Sequence, residues 1–363
     1  MGSVKPKVTW KTVLLPAIGI AAFIIYLYLF QVDIPEIIAT IKTVNMPLYV
    51  LAAFLVFFDT LFYALAWRSL LNFLSVKLSV LKAYLYVWYG TFVDIIIPAE
   101  SISGEISRAY LVMREQGNEI SGKVAASLVA HRLISMSVGA ISVIIGTCMI
   151  LTERQVDTLI FNLSLFFVAV TVFFVILLIL FCIKEAWTRK IIEFAFRIAE
   201  FVSRGKWKLA KFREDALKAA KIFHDSMKEF SHAPRTLSVA TAFSTICWIL
   251  NLIICYLVFL ALDFQMSTLS LLGIVILTQS IVTAVKSIPV GVPFEVGLPE
   301  ITMTTLYVIL GVPFQTSATA TILSRILTLW LRFFVSFAVQ QWIEIKAIAA
   351  TSPSSLPNQT EKV

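Results

Sequence analysis

The sequence predicts an all-α polytopic membrane protein with six full spans and two re-entrant helical hairpins arranged as an inverted repeat. Three observations carry this expectation. Of 363 residues, 59% are hydrophobic and only 14% charged, against about a quarter charged in an ordinary soluble domain. The apolar residues form continuous runs about as long as a bilayer-crossing helix, not the short alternating segments of a transmembrane barrel. Two of those runs end in proline- and glycine-rich segments that carry acids, and the two segments resemble each other. The composition, with a mean hydropathy of +0.89, excludes a soluble enzyme, a secreted disulfide scaffold and a disordered chain, because no soluble core could hide so much apolar surface. The four cysteines lie inside apolar runs without CxxC spacing, and the three histidines are scattered without metal-ligand spacing.

The N-terminus carries Lys5, Lys7 and Lys11, which places it inside by the positive-inside rule. The first span covers residues 12–30, and the second, 47–71, returns inward to Arg68 and Lys77. The run 81–97 then meets Pro98-Ala-Glu-Ser-Ile-Ser-Gly-Glu105 and continues to a polar turn near 117–123, so residues 81–121 read as the first hairpin. Full spans follow at 122–152 and 158–183. Residues 184–235 hold 13 Lys/Arg and 7 Asp/Glu, six of the chain's net +8. This basic stretch reads as cytoplasmic and lipid-facing rather than as a nucleic-acid site. Ile191, Phe194, Ile198 and Phe201, then Phe212, Ala216, Ala219, Phe223, Met227 and Phe230, recur at helical spacing. They describe amphipathic helices lying on the membrane or on each other. Residues 237–262 cross outward. The run 269–288 meets Pro289-Val-Gly-Val-Pro-Phe-Glu-Val-Gly-Leu-Pro-Glu300, and 269–312 reads as the second hairpin. Residues 316–342 form the last span.

The chain thus divides into an N-terminal membrane half (1–183), the basic helices (184–235), a C-terminal membrane half (236–345) and a flexible tail (346–363). If each proline-rich segment turns back midway, six crossings leave both termini and the basic stretch in the cytoplasm. If each crossed instead, the basic stretch would move outside, against the charge bias.

Pro98-x-Glu100-x-x-x-x-Glu105 is echoed by Pro293-x-Glu295-x-x-x-x-Glu300, and an arginine follows inside a long span in each half, Arg132 at 27 residues after Glu105 and Arg325 at 25 after Glu300. Interrupted apolar segments in corresponding positions of two halves point to a midplane binding site. Broken backbone at membrane depth is tolerated only where it is buried in protein or lines a wet cavity, and Pro98, Gly104, Pro289, Pro293 and Gly297 are the expected helix breaks. The membrane-depth charges are Asp59, Asp94, Glu100, Glu105, Arg132, Lys286, Glu295, Glu300, Arg325 and Arg332, six acids against four bases. Each costs roughly 2.5–3.5 kcal/mol when uncompensated, so they are expected to pair in a central cavity as structural ion pairs, as a polar path, or as both. Asp59 is the weakest candidate, with a helix–helix hydrogen bond as its plain role. Arg332 is long enough to snorkel. By position, Arg108 and Arg114 sit near the inner interface as anchors or anionic-lipid contacts. Trp67, Trp330 and Trp342 read as belt or packing residues. No nucleophile elbow, P-loop or HExxH is present, so a transporter is expected rather than an enzyme, with no cofactor and no metal.

The motifs also carry a resemblance. PAESISGEISRAY (98–110), AASLVAHRL (125–133), Gly297-Leu-Pro-Glu300 and Ser324-Arg325-Ile-Leu-Thr-Leu-Trp330 resemble, in order, the signatures of the lysylphosphatidylglycerol synthase/flippase transmembrane family. The likeness covers roughly residues 10–345. The chain has Ser103-Gly-Glu105 where Gly-Gly-Glu is common, and its second loop lacks the usual Pro-Gly-Gly. The resemblance implies a cell-membrane flippase that moves a phospho-, aminoacylated or lipid-linked head group, with Glu105, Arg108, Arg132, Glu300 and Arg325 as cavity or gating positions. Only a short tail follows the last span, so the soluble aminoacyltransferase domain of the synthases is not expected here. The expected partners are anionic or zwitterionic membrane lipids. A lipid-modifying enzyme and a homo-oligomer stay open. The alternative function is a non-transporting partner that docks a glycosyltransferase or lipid synthase through 184–235.

Overall fold

The computed structural model describes residues 42, 44–97, 102–153, 158–202, 210–286 and 297–351. The expected first span (12–30), Pro98, Glu100, Pro289, Pro293 and Glu295 lie outside the described residues. Among those described, the regular structure is helical. In chain order the helices are α1 (Met46–Phe73), α2 (Val80–Ile96), α3 (Ile102–Gln116), a short 3₁₀ turn (Asn118–Ile120), α4 (Ser121–Glu153), α5 (Thr158–Ile183), α6 (Glu185–Val202), α7 (Ala210–Ser231), α8 (Pro234–Ala261), α9 (Thr268–Lys286), α10 (Leu298–Ile309), α11 (Phe314–Arg325), a π-helical segment (Ile326–Leu331) and α12 (Arg332–Thr351).

Local chemistry starts these helices where the sequence changes character. The Asn45 side chain accepts from Leu48 N–H at the start of α1, and Ser79 accepts from Lys82 N–H at the start of α2, each satisfying a backbone donor that has no partner within its helix. Pro234 stands in the first turn of α8, where its missing N–H costs nothing. The C-terminal helix runs to Thr351, past the expected end of the membrane half at 345. The alanine-rich stretch at its end favours helix.

Six stretches are long and apolar enough to cross a bilayer: Met46–Phe73, Asn118–Thr152, Leu165–Ile183, Pro234–Ala261, Thr268–Val285 and Phe314–Ala347. Five coincide with expected spans. The remaining one is α9, expected as the first limb of the second hairpin.

Paired contacts fix the relative directions of the helices. Asn45 with Ala261, Asp59 with Cys247 and Phe62 with Phe243 run α1 antiparallel to α8, and Phe73 at the end of α1 stacks on Phe230 of α7. Ser142 meets Ser280, and Gly146 and Ile150 approach Leu277 and Gly273, so α4 lies antiparallel to α9. Phe92 stacks with Phe333 and Tyr89 OH donates to Glu344 at 2.9 Å, so α12 lies antiparallel to α2. Lys82 with Glu115, Gly90 with Arg108, and Asp94 with Gly104 bring α3 back along α2. The pattern is reciprocal. The span after each proline-rich segment packs on the helix that leads into the other one.

The main apolar core fills the space among α1, α4, α8, α9, α10 and α11 around Val258, Leu277 and Tyr307, all fully buried. A second cluster joins α1 to α2, α3 and α4. Most large side chains of α5 point outward, among them Phe166, Phe173, Phe174 and Ile176. Such a surface suits the apolar interior of a bilayer.

Candidate functional site: three ion pairs and a buried arginine

The first half builds its site on the close return of α3 along α2. A Cβ at Gly104 would lie 2.1 Å from an Asp94 carboxylate oxygen and 2.6 Å from the Gly90 carbonyl, so only glycine lets the two backbones approach this closely. Asp94 accepts Gly104 N–H at 2.6 Å and Ser103 Oγ–H at 2.7 Å, which places a carboxylate at the positive end of α3. Gly104, expected as a helix break, instead sits in the first turn of α3, where its role is this close packing.

The next residue, Glu105, pairs with Arg132 of α4 at 3.2 Å. Arg108 lies below it with 3% of its surface exposed, which overturns its expected place as an interfacial anchor. The α2–α3 return carries it into the protein against α1. Its guanidinium is held over the Tyr63 ring (5.3 Å) and the Trp67 ring (5.1 Å), a cation–π arrangement that strengthens once water is excluded. Its Nη2 donates to Tyr63 OH at 3.3 Å, and its Nε donates weakly to the Gly104 carbonyl at 3.4 Å. Among the described residues, Nη1 makes no hydrogen bond and no carboxylate reaches ion-pair distance. His131, the residue before Arg132, is 2% exposed, meets Tyr63 edge to face at 4.5 Å, and also leaves its Nε2 without a partner.

The second half repeats the pairing. Gly297 opens α10 with φ +103°, a backbone shape that favours glycine, and its N–H donates to Glu300 Oε2 at 2.7 Å. The other oxygen of Glu300 accepts Arg325 Nε–H at 2.5 Å, with both side chains buried. Each paired glutamate therefore sits in the first turn of the helix after a proline-rich segment, and each arginine sits in the span that follows. Thr304 and Thr321 add a hydroxyl contact at 3.1 Å between α10 and α11.

A third pair joins the halves. Arg332 donates to Asp59 of α1, and Cys247 Sγ–H of α8 donates to the other oxygen of Asp59 at 2.8 Å. Arg332 therefore turns inward, and Asp59 has a cationic partner beyond its expected helix–helix hydrogen bond. Asp59→Ala is expected to cost roughly 1–3 kcal/mol by stranding the arginine, read as a lower melting temperature in detergent. The cost is smaller than for a sealed pair because 24% of the Arg332 side chain reaches the surface.

The structure thus brings together Glu105, Arg108 and Arg132 in one group, and Glu300 and Arg325 in another. Lys286 is the last residue of α9. Arg114, near the surface, reaches Glu344 at 3.9 Å. Sequence reasoning missed Tyr63 and His131 and took Trp67 for a belt or packing residue. Aromatic residues inside an apolar span give no sign of touching a cation that lies 45 positions further on.

These features define a class: a multi-pass helical membrane protein whose charges pair or gather inside the bundle. The chain belongs to the lysylphosphatidylglycerol synthase TM region family, whose profile matches residues 14–336. It is also similar to a UPF0104 membrane protein of Pyrococcus horikoshii, at 22% identity over 324 residues, covering 88% of this chain and 94% of that protein. No solved structure matches the chain.

Proposed function

We propose that this protein is a transporter, not an enzyme, that moves a polar lipid head group between leaflets of the cell membrane through a charged midplane cavity, with both termini in the cytoplasm. One observation carries the proposal. Arg108 is a fully buried cation without a carboxylate partner among the described residues. Glu105 and Asp94 act on it only from beyond ion-pair distance, burying a charge without a direct partner is costly, and intramembrane charges that persist mark substrate pathways. An anionic head group would supply the missing partner, and the neighbouring His131 Nε2 offers a second contact. The reciprocal packing of the two halves and the matched pairs Glu105–Arg132 and Glu300–Arg325 support an inverted repeat with two re-entrant hairpins. The family description supports a lipid connection.

The test is head-group translocation of a fluorescent phospholipid in proteoliposomes. Arg108→Met keeps the volume and the aromatic contacts but removes the charge. It is expected to abolish translocation while leaving the melting temperature near that of the parent, with Arg108→Lys recovering part of the rate. Wild-type translocation in Arg108→Met overturns the proposal. A docking partner acting through 184–235 would instead lose function on deletion of that stretch and tolerate Arg108→Met.

A further inference from the structure

The basic stretch divides into two helices with different fates. α7 turns its apolar row into the bundle. Phe223 and Phe230 are buried, and Gly122 of α4 lies so close that a Cβ there would be 2.4 Å from the Ala219 carbonyl. α6 packs on α7 along one face, where Thr188 Oγ1 and His224 Nε2 are 3.2 Å apart. Its other apolar row has no protein cover among the described residues: Trp187, Ile191, Phe194 and Ile198 are 43%, 54%, 61% and 47% exposed.

At about 100° per residue these four fall within a stripe about 60° wide. Lys190 and Arg197 lie about 60–80° round from Trp187 on one flank, and both are exposed. A single residue, Lys184, separates α5 from α6, so the stripe starts close to the level where a bilayer-crossing helix leaves the membrane.

We propose that α6 is an interfacial helix. Its stripe lies in the boundary between acyl chains and head groups of an anionic leaflet, and Lys190 and Arg197 meet the lipid phosphates. Two observations select lipid over a protein partner. The stripe begins four residues after the end of a helix whose large side chains face outward, and the stretch 184–235 carries 13 basic against 7 acidic residues, which complements an anionic leaflet. This inference does not depend on the transport reading.

The experiment uses the full chain in nanodiscs, with the exposed Cys148 replaced by alanine and a nitroxide placed by Phe194→Cys or, as control, by Arg189→Cys on the opposite face. In discs containing phosphatidylglycerol, the label at 194 is expected to collide with oxygen and to be shielded from a water-soluble nickel reagent, and the label at 189 is expected to behave oppositely. Lys190→Glu with Arg197→Glu should move the 194 label toward water in those discs and leave it unchanged in phosphatidylcholine discs. Equal nickel access at 194 and 189 overturns the proposal. Shielding at 194 from both reagents overturns it in favour of a protein partner, with label–label broadening identifying a second copy. An unshifted label in the double charge variant overturns the phosphate contact.

Discussion

Glu300→Ala is expected to lower the stability of this protein by roughly 3–5 kcal/mol, the usual cost of removing one partner from a buried ion pair. Arg325 shows 6% of its side chain and Glu300 1%, so a guanidinium that loses this carboxylate has little water or lipid phosphate to replace it. The same change deprives Gly297 N–H of its acceptor and weakens the start of α10. Melting in detergent and in nanodiscs measures the loss. Arg325→Ala added to Glu300→Ala should restore part of it, because no uncompensated charge then remains. Strict additivity of the two single changes would show that the pair is not energetically coupled.

The second large effect falls on the α2–α3 return. Gly104→Val is expected to prevent that return from closing. The added Cβ meets an Asp94 oxygen at 2.1 Å and the Gly90 carbonyl at 2.6 Å, and a backbone carbonyl cannot swing aside as a long side chain can. Overpacking alone costs about 1–3 kcal/mol, and displacing Asp94 from Gly104 N–H removes a cap-like bond of about 1 kcal/mol. Gly139→Ala in α4 is the control. Nothing lies within 4 Å of the Cβ it adds, and alanine in a helix interior gains roughly 0.5–1 kcal/mol over glycine. Limited proteolysis across 90–116 together with thermal melting reads both variants. Gly104→Val melting with the wild type would refute the close approach.

The fold was legible because membrane helices announce themselves by unbroken apolar length, and because a charge inside such a run is conspicuous. That is why Glu105, Arg132, Glu300 and Arg325 stood out as matched charges, 27 and 25 residues apart, although which acid meets which base was left open. The Asp59–Arg332 pair was not legible as a pair. It joins positions 273 apart, and only packing of the two halves brings them together. The reading by position set Arg108 at the interface, unlike the resemblance, because hydropathy counts residues along a helix and does not register that α3 doubles back onto α1 and α2. Tyr63 and His131 stayed hidden because their role depends on that same return.

The π-helical segment Ile326–Leu331 stands between Arg325, which answers to Glu300, and Arg332, which answers to Asp59. Seven residues of regular α-helix come within about 20° of two whole turns and would aim both arginines the same way. The wider turn offsets one from the other, so a single rod can grip a neighbour on each side. Its register therefore ties the two clasps together. Slipping by one residue would swing either guanidinium about 100° away from its acid, so neither clasp can open by rotation of this rod while the other stays untouched.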